Sequence, residues 1–292
     1  MIASASLVQA DARTLPIATR SIDLIVTSPP YYGLRTYIDQ GHEFAQQIGN
    51  EQSLTQYLDA LVATTAEMAR VLTDTGSIFV NVGDKYAGSG KQSGPIGLLP
   101  DEEAKQGARN GHRRSRPGRI DGIPPKSLAG IPWRYAVRCI DELGLVLRAE
   151  IIWRKPNAMP ETVTDRARRT HEHWFHFTKS GNYFHRPTNP GPSVLSVSTE
   201  PLRIPSNFSI THSAAFPAYW PWHFITGWCP DNGTVLDPYS GTGTTGAVAK
   251  ALGRTSINID LSNDYHRIAD WRINGDGFPK IIDKLNRYRQ DA

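Results

Sequence analysis

Thr234-Val235-Leu236-Asp237-Pro238-Tyr239-Ser240-Gly241-Thr242-Gly243-Thr244-Thr245-Gly246 reads as a short apolar strand, a glycine-rich turn and the entry to a helical stretch from Ala247 to Leu252. Gly241, Gly243 and Gly246 satisfy G-x-G-x-x-G, a spacing that brings backbone close to a ligand at a helix N-terminus. Gly253 is placed to end that helix. A second apolar run, Ser256-Ile257-Asn258-Ile259, closes on Asp260, where a carboxylate is suited to accept hydrogen bonds from ribose hydroxyls. This corner is built for an adenosine cofactor. By itself it does not separate a dinucleotide from S-adenosylmethionine, so a nicotinamide-dependent oxidoreductase stays open at this point.

Near the other end of the chain, Ile22-Asp23-Leu24-Ile25-Val26 runs into Thr27-Ser28-Pro29-Pro30-Tyr31. A proline fixes its own φ and pushes the preceding residue toward extended backbone, so Ser28 and Pro29 are held extended and cannot start a helix. The Ser28 hydroxyl and the Pro29 carbonyl can then act together as acceptors for an exocyclic amino group. Tyr31 adds a π face for stacking. A nicotinamide enzyme gives these residues no role.

The intervening chain alternates helix and strand. Residues 53–72 carry Leu54, Tyr57, Leu58, Leu61, Val62, Met68, Val71 and Leu72 at helical spacing, with Ser53 as the N-cap. Gly76 leads into a strand over Ser77 to Val82. The pattern predicts a helix from Ile131 to Leu143 stopped by Gly144, a strand from Leu145 to Trp153 and another from Arg169 to Phe177. The expected fold is α/β, with a mainly parallel, doubly wound, Rossmann-like sheet. Residues 1–292 form one catalytic domain in this reading. Both site loops must then leave carboxyl ends of strands in the same sheet, which makes Ser28 and Gly241 spatial neighbours.

Charge is concentrated. The chain carries a net +4, yet residues 85–127 alone hold nine lysines and arginines against four acids, so the remainder is nearly neutral. That stretch also holds eight glycines and five prolines and lacks apolar periodicity, which reads as a basic, flexible insertion. Its Arg113, Arg114, Arg116 and Arg119 are suited to neutralise phosphates of a nucleic acid, and the alternative is a solvated insertion with no partner. Cys139 and Cys229 are far apart with no C-x-x-C, and no apolar run is long enough to span a membrane. A cytoplasmic protein without metal or disulfide is expected.

Taken together, the order of these motifs resembles the permuted class of amino-group DNA methyltransferases, in which S-P-P-Y or D-P-P-Y comes first and the cofactor loop comes last. The resemblance covers nearly the whole chain. Trp153-Arg154-Lys155-Pro156-Asn157-Ala158-Met159-Pro160-Glu161 is similar to the family's W-x-K-P-N-P-M-P-E, with Ala158 replacing a proline. His171-Glu172-His173 through Thr178-Lys179-Ser180 resembles its H-E-Y strand and T-K-S turn. His212-Ser213-Ala214-Ala215-Phe216-Pro217 resembles its H-x-A-x-F-P element.

The resemblance implies S-adenosylmethionine as cofactor, held by Asp11 at the adenine, Ser213 and Phe216 at the methionine end, and Thr27, Asp237, Pro238, Ser240, Gly241, Thr242, Gly243, Thr244, Thr245 and Asp260. It implies a base clamp of Ser28, Pro29, Pro30 and Tyr31 acting on a nucleotide flipped from the duplex. A serine at position 28 goes with cytosine N4 in this family more often than with adenine N6. Arg166, Arg168, Arg169, His171 and Lys179 are expected to meet double-stranded DNA, and residues 186–211 form a small candidate recognition segment. A cognate restriction enzyme is a partner class that such enzymes imply; oligomeric state is not legible. Trp222 and Trp228 read as a helix packing face.

Overall fold

The computed structural model describes residues 4–33, 38–39, 42–43, 47–88, 119–120, 122–186, 191–206, 208 and 215–290. Its elements run β1 (Ala5–Gln9), β2 (Ile22–Thr27), a hairpin of β3 (Ile38–Asp39) and β4 (His42–Glu43), α1 (Leu54–Val71), β5 (Leu72–Val82), α2 (Ile131–Leu143), β6 (Val146–Arg154), β7 (His171–Thr178), β8 (Val194–Ser196), α3 (Tyr219–Trp228), β9 (Thr234–Asp237), α4 (Thr244–Ala251), β10 (Thr255–Asp260), α5 (Asn263–Ile273) and α6 (Phe278–Gln290).

Eight strands form one sheet in the order β1-β10-β9-β2-β5-β7-β6-β8. β7 is antiparallel to both neighbours, β5 and β6; the other pairings are parallel. β2 and β9 sit side by side, with Ile25 opposite Leu236. Chain segments some 200 residues apart in sequence thus share one sheet edge, as the motif order requires. Ile22, Leu24, Ile25 and Val26 are all fully buried, the mark of a central strand covered on both faces.

Each face has its own core. On one side α1 and α2 bring Tyr57, Leu61, Met68, Ile131 and Tyr135 against Ile25, Val80 and Phe177. On the other, Trp220 and Phe224 of α3, Ala247 and Val248 of α4, Ala269 and Ile273 of α5 and Ile281 and Leu285 of α6 pack on Leu24, Val26, Phe79 and Trp174. The side chain of Ser53 caps α1 by accepting from the Gln56 amide, and Gly144 ends α2 in the left-handed region.

Two boundaries differ from expectation. α4 begins at Thr244, not Ala247, because Gly243 at φ +74° is where the turn closes and the helix starts. β5 starts at Leu72, directly from α1, and its pairing with β2 shifts register between Ile22 and Leu24 as the chain passes Gly76. Trp222 and Trp228 of α3 pack against the core as expected, Trp228 edge-on to Phe79, and Trp220, fully buried, joins them. Of the basic insertion, the described ends are zipped together: Ala87 N donates to Ser127 O and Lys126 N to Ala87 O. Residues 186–211 contribute β8 to the sheet edge beside β6.

Candidate active site

The diproline loop leaves the carboxyl end of β2, and the glycine-rich loop leaves that of β9. A buried network ties the two together. The Asp237 carboxylate accepts from Thr27 Oγ1 at 2.7 Å, from Thr245 Oγ1 at 2.7 Å and from the Tyr239 amide at 3.1 Å. Burial pushes its carboxyl up to about 6 despite these bonds. Thr27, Asp237, Gly243 and Thr245 lie beneath the loops and do not line the cavity above them. The hydroxyls of Thr27 and Thr245 and the Asp237 carboxylate fix one loop to the other, and the Gly243 amide donates to Ser240 O within the turn.

That cavity has a volume of about 570 Å³, and both loops line it. Its cofactor end is lined by Asp11, Phe216, Pro238, Ser240, Gly241, Thr242, Thr244 and Asp260. Asp260 accepts from the Gly241 and Ser262 amides, each at 2.9 Å, and burial pushes it up to about 6. The Arg13 guanidinium, bound side by side to Asp11, holds that carboxyl below its ordinary value. A Cβ at Gly246 would lie 2.3 Å from Asn258 Oδ1, so the glycine lets α4 lie close against the buried Asn258 side chain of β10. Ser240 Oγ is buried at the cavity wall without a partner among the described residues. An unpaired hydroxyl, a carboxylate at the end of β10 and a glycine cradle fit S-adenosylmethionine. Ser213 lies outside the described residues.

Sequence reading missed Arg272. It is 5% exposed, its Nη1 donates to Thr242 O, Thr242 Oγ1 and Thr244 Oγ1, and desolvation lowers it to about 10. It braces the cofactor loop from behind. Only its place on the last turn of α5 brings it there, and local sequence carries no sign of that.

The other end of the cavity holds Ser28, Pro29, Pro30 and Tyr31 with Asn81, Lys155, Arg169, His171 and Glu172. The Tyr31 hydroxyl lies 2.7 Å from Asn81 Oδ1 and 2.9 Å from Glu172 Oε2, so its one proton serves two acceptors. Desolvation and the nearby Glu172 charge hold this phenol well above its ordinary value. Its ring lies against Gly83, where a Cβ would sit 2.4 Å from Cε2. Glu172 is in turn ion-paired with Lys155, whose Nζ sits 4.1 Å from the Trp153 ring centroid. Ser28 Oγ makes long contacts of 3.4 Å to Asn81 O and Oδ1 and also neighbours the Tyr31 hydroxyl. The Pro30 carbonyl accepts from Tyr57 at 2.9 Å. Asn81, Lys155 and Glu172 are therefore the supports of the clamp.

Basic residues rim this end unevenly. Arg168 and Arg119 are exposed, and Arg169, which donates to Asp84 O, lines the cavity with His171. Arg166 pairs with Glu161 at 2.7 Å and stacks 3.6 Å over the Tyr86 ring. Arg113, Arg114 and Arg116 lie outside the described residues. Lys179 is corrected: β7 runs antiparallel, so His171 at its start is at the cavity while Lys179 just past its end is across the sheet, bonded to Leu72 O and facing Asp74. Among the described residues no three His, Cys, Asp or Glu side chains are grouped to hold a metal ion.

Comparison with known proteins agrees with this geometry. The DNA methylase family model matches residues 22–270. The type II methyltransferase M.XycI of Xanthomonas campestris pv. cyanopsidis is 38% identical over 94% of this chain and 89% of its own, and M.Cfr9I of Citrobacter freundii is 39% identical over 93% and 88%. Among solved structures, the PvuII DNA methyltransferase (cytosine-N4-specific) matches with a TM-score of 0.68 at 21% identity, over 98% of this chain and 93% of that one. A Thermus thermophilus protein described as a DNA modification methylase, complexed with S-adenosyl-L-methionine, matches with a TM-score of 0.59 at 21% identity over 96% and 95%. A family model spanning most of the chain, near-full-length relatives and a shared cavity behind both loops lead to one conclusion: this chain belongs to the DNA methylase family, as an S-adenosylmethionine-dependent type II DNA methyltransferase of the N4/N6 amino-methylating group.

Proposed function

We propose that the chain methylates the N4 amine of cytosine in double-stranded DNA, on a nucleotide turned out of the helix. The observation that carries this reading is Ser28: a neutral hydroxyl, loosely held at 3.4 Å, at the amine end of a cavity whose other end fits the cofactor. In the family this chain resembles, serine at that position accompanies cytosine N4 more often than adenine N6. The PvuII enzyme of like fold is cytosine-N4-specific, although at 21% identity the fold alone does not carry the choice of base.

S-adenosylmethionine, when bound, supplies an electrophilic methyl group. The residues of this chain do the rest. Ser28 Oγ and the Pro29 carbonyl accept the two amine hydrogens and draw the nitrogen lone pair out of conjugation with the ring. Tyr31 stacks on the extruded base, its hydroxyl pinned by Asn81 and Glu172. Holding amine and donor in line supplies much of the remaining rate. One amine proton leaves late. Neither cysteine takes part, because both are buried and burial pushes each thiol up to about 12. Arg119, Arg168, Arg169 and His171, with Arg113, Arg114 and Arg116, meet phosphates in this reading. The stretch 186–211 supplies sequence recognition together with the basic insertion.

Nucleoside mass spectrometry of DNA from cells expressing the chain tests the assignment. N4-methylcytosine is expected. N6-methyladenine would overturn the choice of base, and the absence of either would overturn the activity.

A further inference from the structure

Turning a nucleotide out leaves a gap in the duplex, and an apolar side chain inserted there offsets part of the unstacking cost. Met159 is 75% exposed, more than any other large hydrophobic side chain among the described residues, yet it also lines the cavity that receives the base. Single exposed apolar side chains are common on protein surfaces, but this one stands at the wall of the cavity both site loops line.

The loop that carries it is fixed on both sides. Before it, Asn157 Nδ2 donates to Thr199 O and Asn157 Oδ1 accepts from the Thr199 amide. After it, Glu161 is held by Arg166, itself stacked on Tyr86. Pro160 keeps Met159 in extended backbone. The exposed Arg168 and the cavity-lining Arg169 lie close in sequence for phosphate contact. A flexible, polarisable thioether on a pinned tip, at a cavity that Arg169 also lines, has the character of a wedge between bases.

We propose that Met159 enters the helix and occupies the space vacated by the target nucleotide. The inference rests on the reading above that the base is turned out. The probe is a duplex containing the site mapped by sequencing methylated DNA, with pyrrolocytosine at the methylated position. The wild-type protein raises its fluorescence, and Met159→Ala raises it much less. On ordinary duplex, kcat/KM of Met159→Ala falls about tenfold, while on a duplex whose target is mispaired it stays within about twofold of wild type. Met159→Leu restores both, and calorimetry gives an unchanged Kd for S-adenosylmethionine. Equal loss on paired and mispaired duplexes, or a weakened cofactor Kd, would overturn the wedge by assigning Met159 to base or cofactor contact. So would a variant indistinguishable from wild type. No fluorescence rise with the wild-type protein would instead remove the turned-out base, and the wedge with it.

Discussion

Ser28→Ala lowers kcat by about 100- to 1,000-fold and leaves the dissociation constant of S-adenosylmethionine unchanged, the size of loss seen when one preorganised polar partner of a developing charge is removed. The reason is positional. Ser28 lines the amine end of the cavity, while Ser240, Gly241 and Asp260 line the cofactor end, so loss of the hydroxyl touches one function and not the other. Its long contacts to Asn81 leave it available as an acceptor, and deleting them costs little stability. Single-turnover kinetics with duplex DNA and calorimetry with cofactor alone check the two halves separately. Turnover close to wild type would show that Ser28 does not hold the amine.

Asp260→Ala weakens S-adenosylmethionine binding by about 1 to 3 kcal/mol, as expected for lost hydrogen bonds to ribose, with a smaller effect on kcat at saturating cofactor. The pH dependence follows from burial, which raises this carboxyl to about 6. Below that value Asp260 is protonated in the free protein and loses acceptor capacity, so wild-type affinity falls as pH drops through about 6 and is level above it. Folding responds with the opposite sign. An acid whose folded pKa is raised contributes stability below its unfolded value near 3.8, and that contribution is lost as pH rises through about 6. At neutral pH the ionised carboxylate is therefore a strain that bound ribose hydroxyls relieve. Asp260→Asn flattens the acid limb of the affinity profile. Titration calorimetry on either side of that pH checks this, and a profile unaltered in the variant would move the ribose contact elsewhere.

What was legible in the sequence had local causes. The extended backbone at Ser28 and Pro29, the glycine spacing from Gly241 to Gly246 and the caps at Ser53 and Gly144 are each set within a few residues. The two caps recur where expected. The supports of the site were not legible in the same way. Arg272 reaches Thr242 from another helix, and Glu172 meets Tyr31 only because β7 lies antiparallel beside β5. Direction also explains Lys179. A basic residue a few positions beyond His171 looks close in sequence, but an eight-residue strand carries it across the sheet. Thr27, Asp237 and Thr245 belong to motifs that imply ligand contact, yet β2 and β9 adjoin so closely that these groups bond one another first.

A crystal structure of the protein with duplex DNA and a non-reactive S-adenosylmethionine analogue tests the central claim most directly. It should place the target amine about 3 to 3.5 Å from the position of the transferable methyl, with its hydrogens on Ser28 Oγ and the Pro29 carbonyl. A target base stacked within the helix, or an amine held away from Ser28 with the cofactor in place, would contradict it.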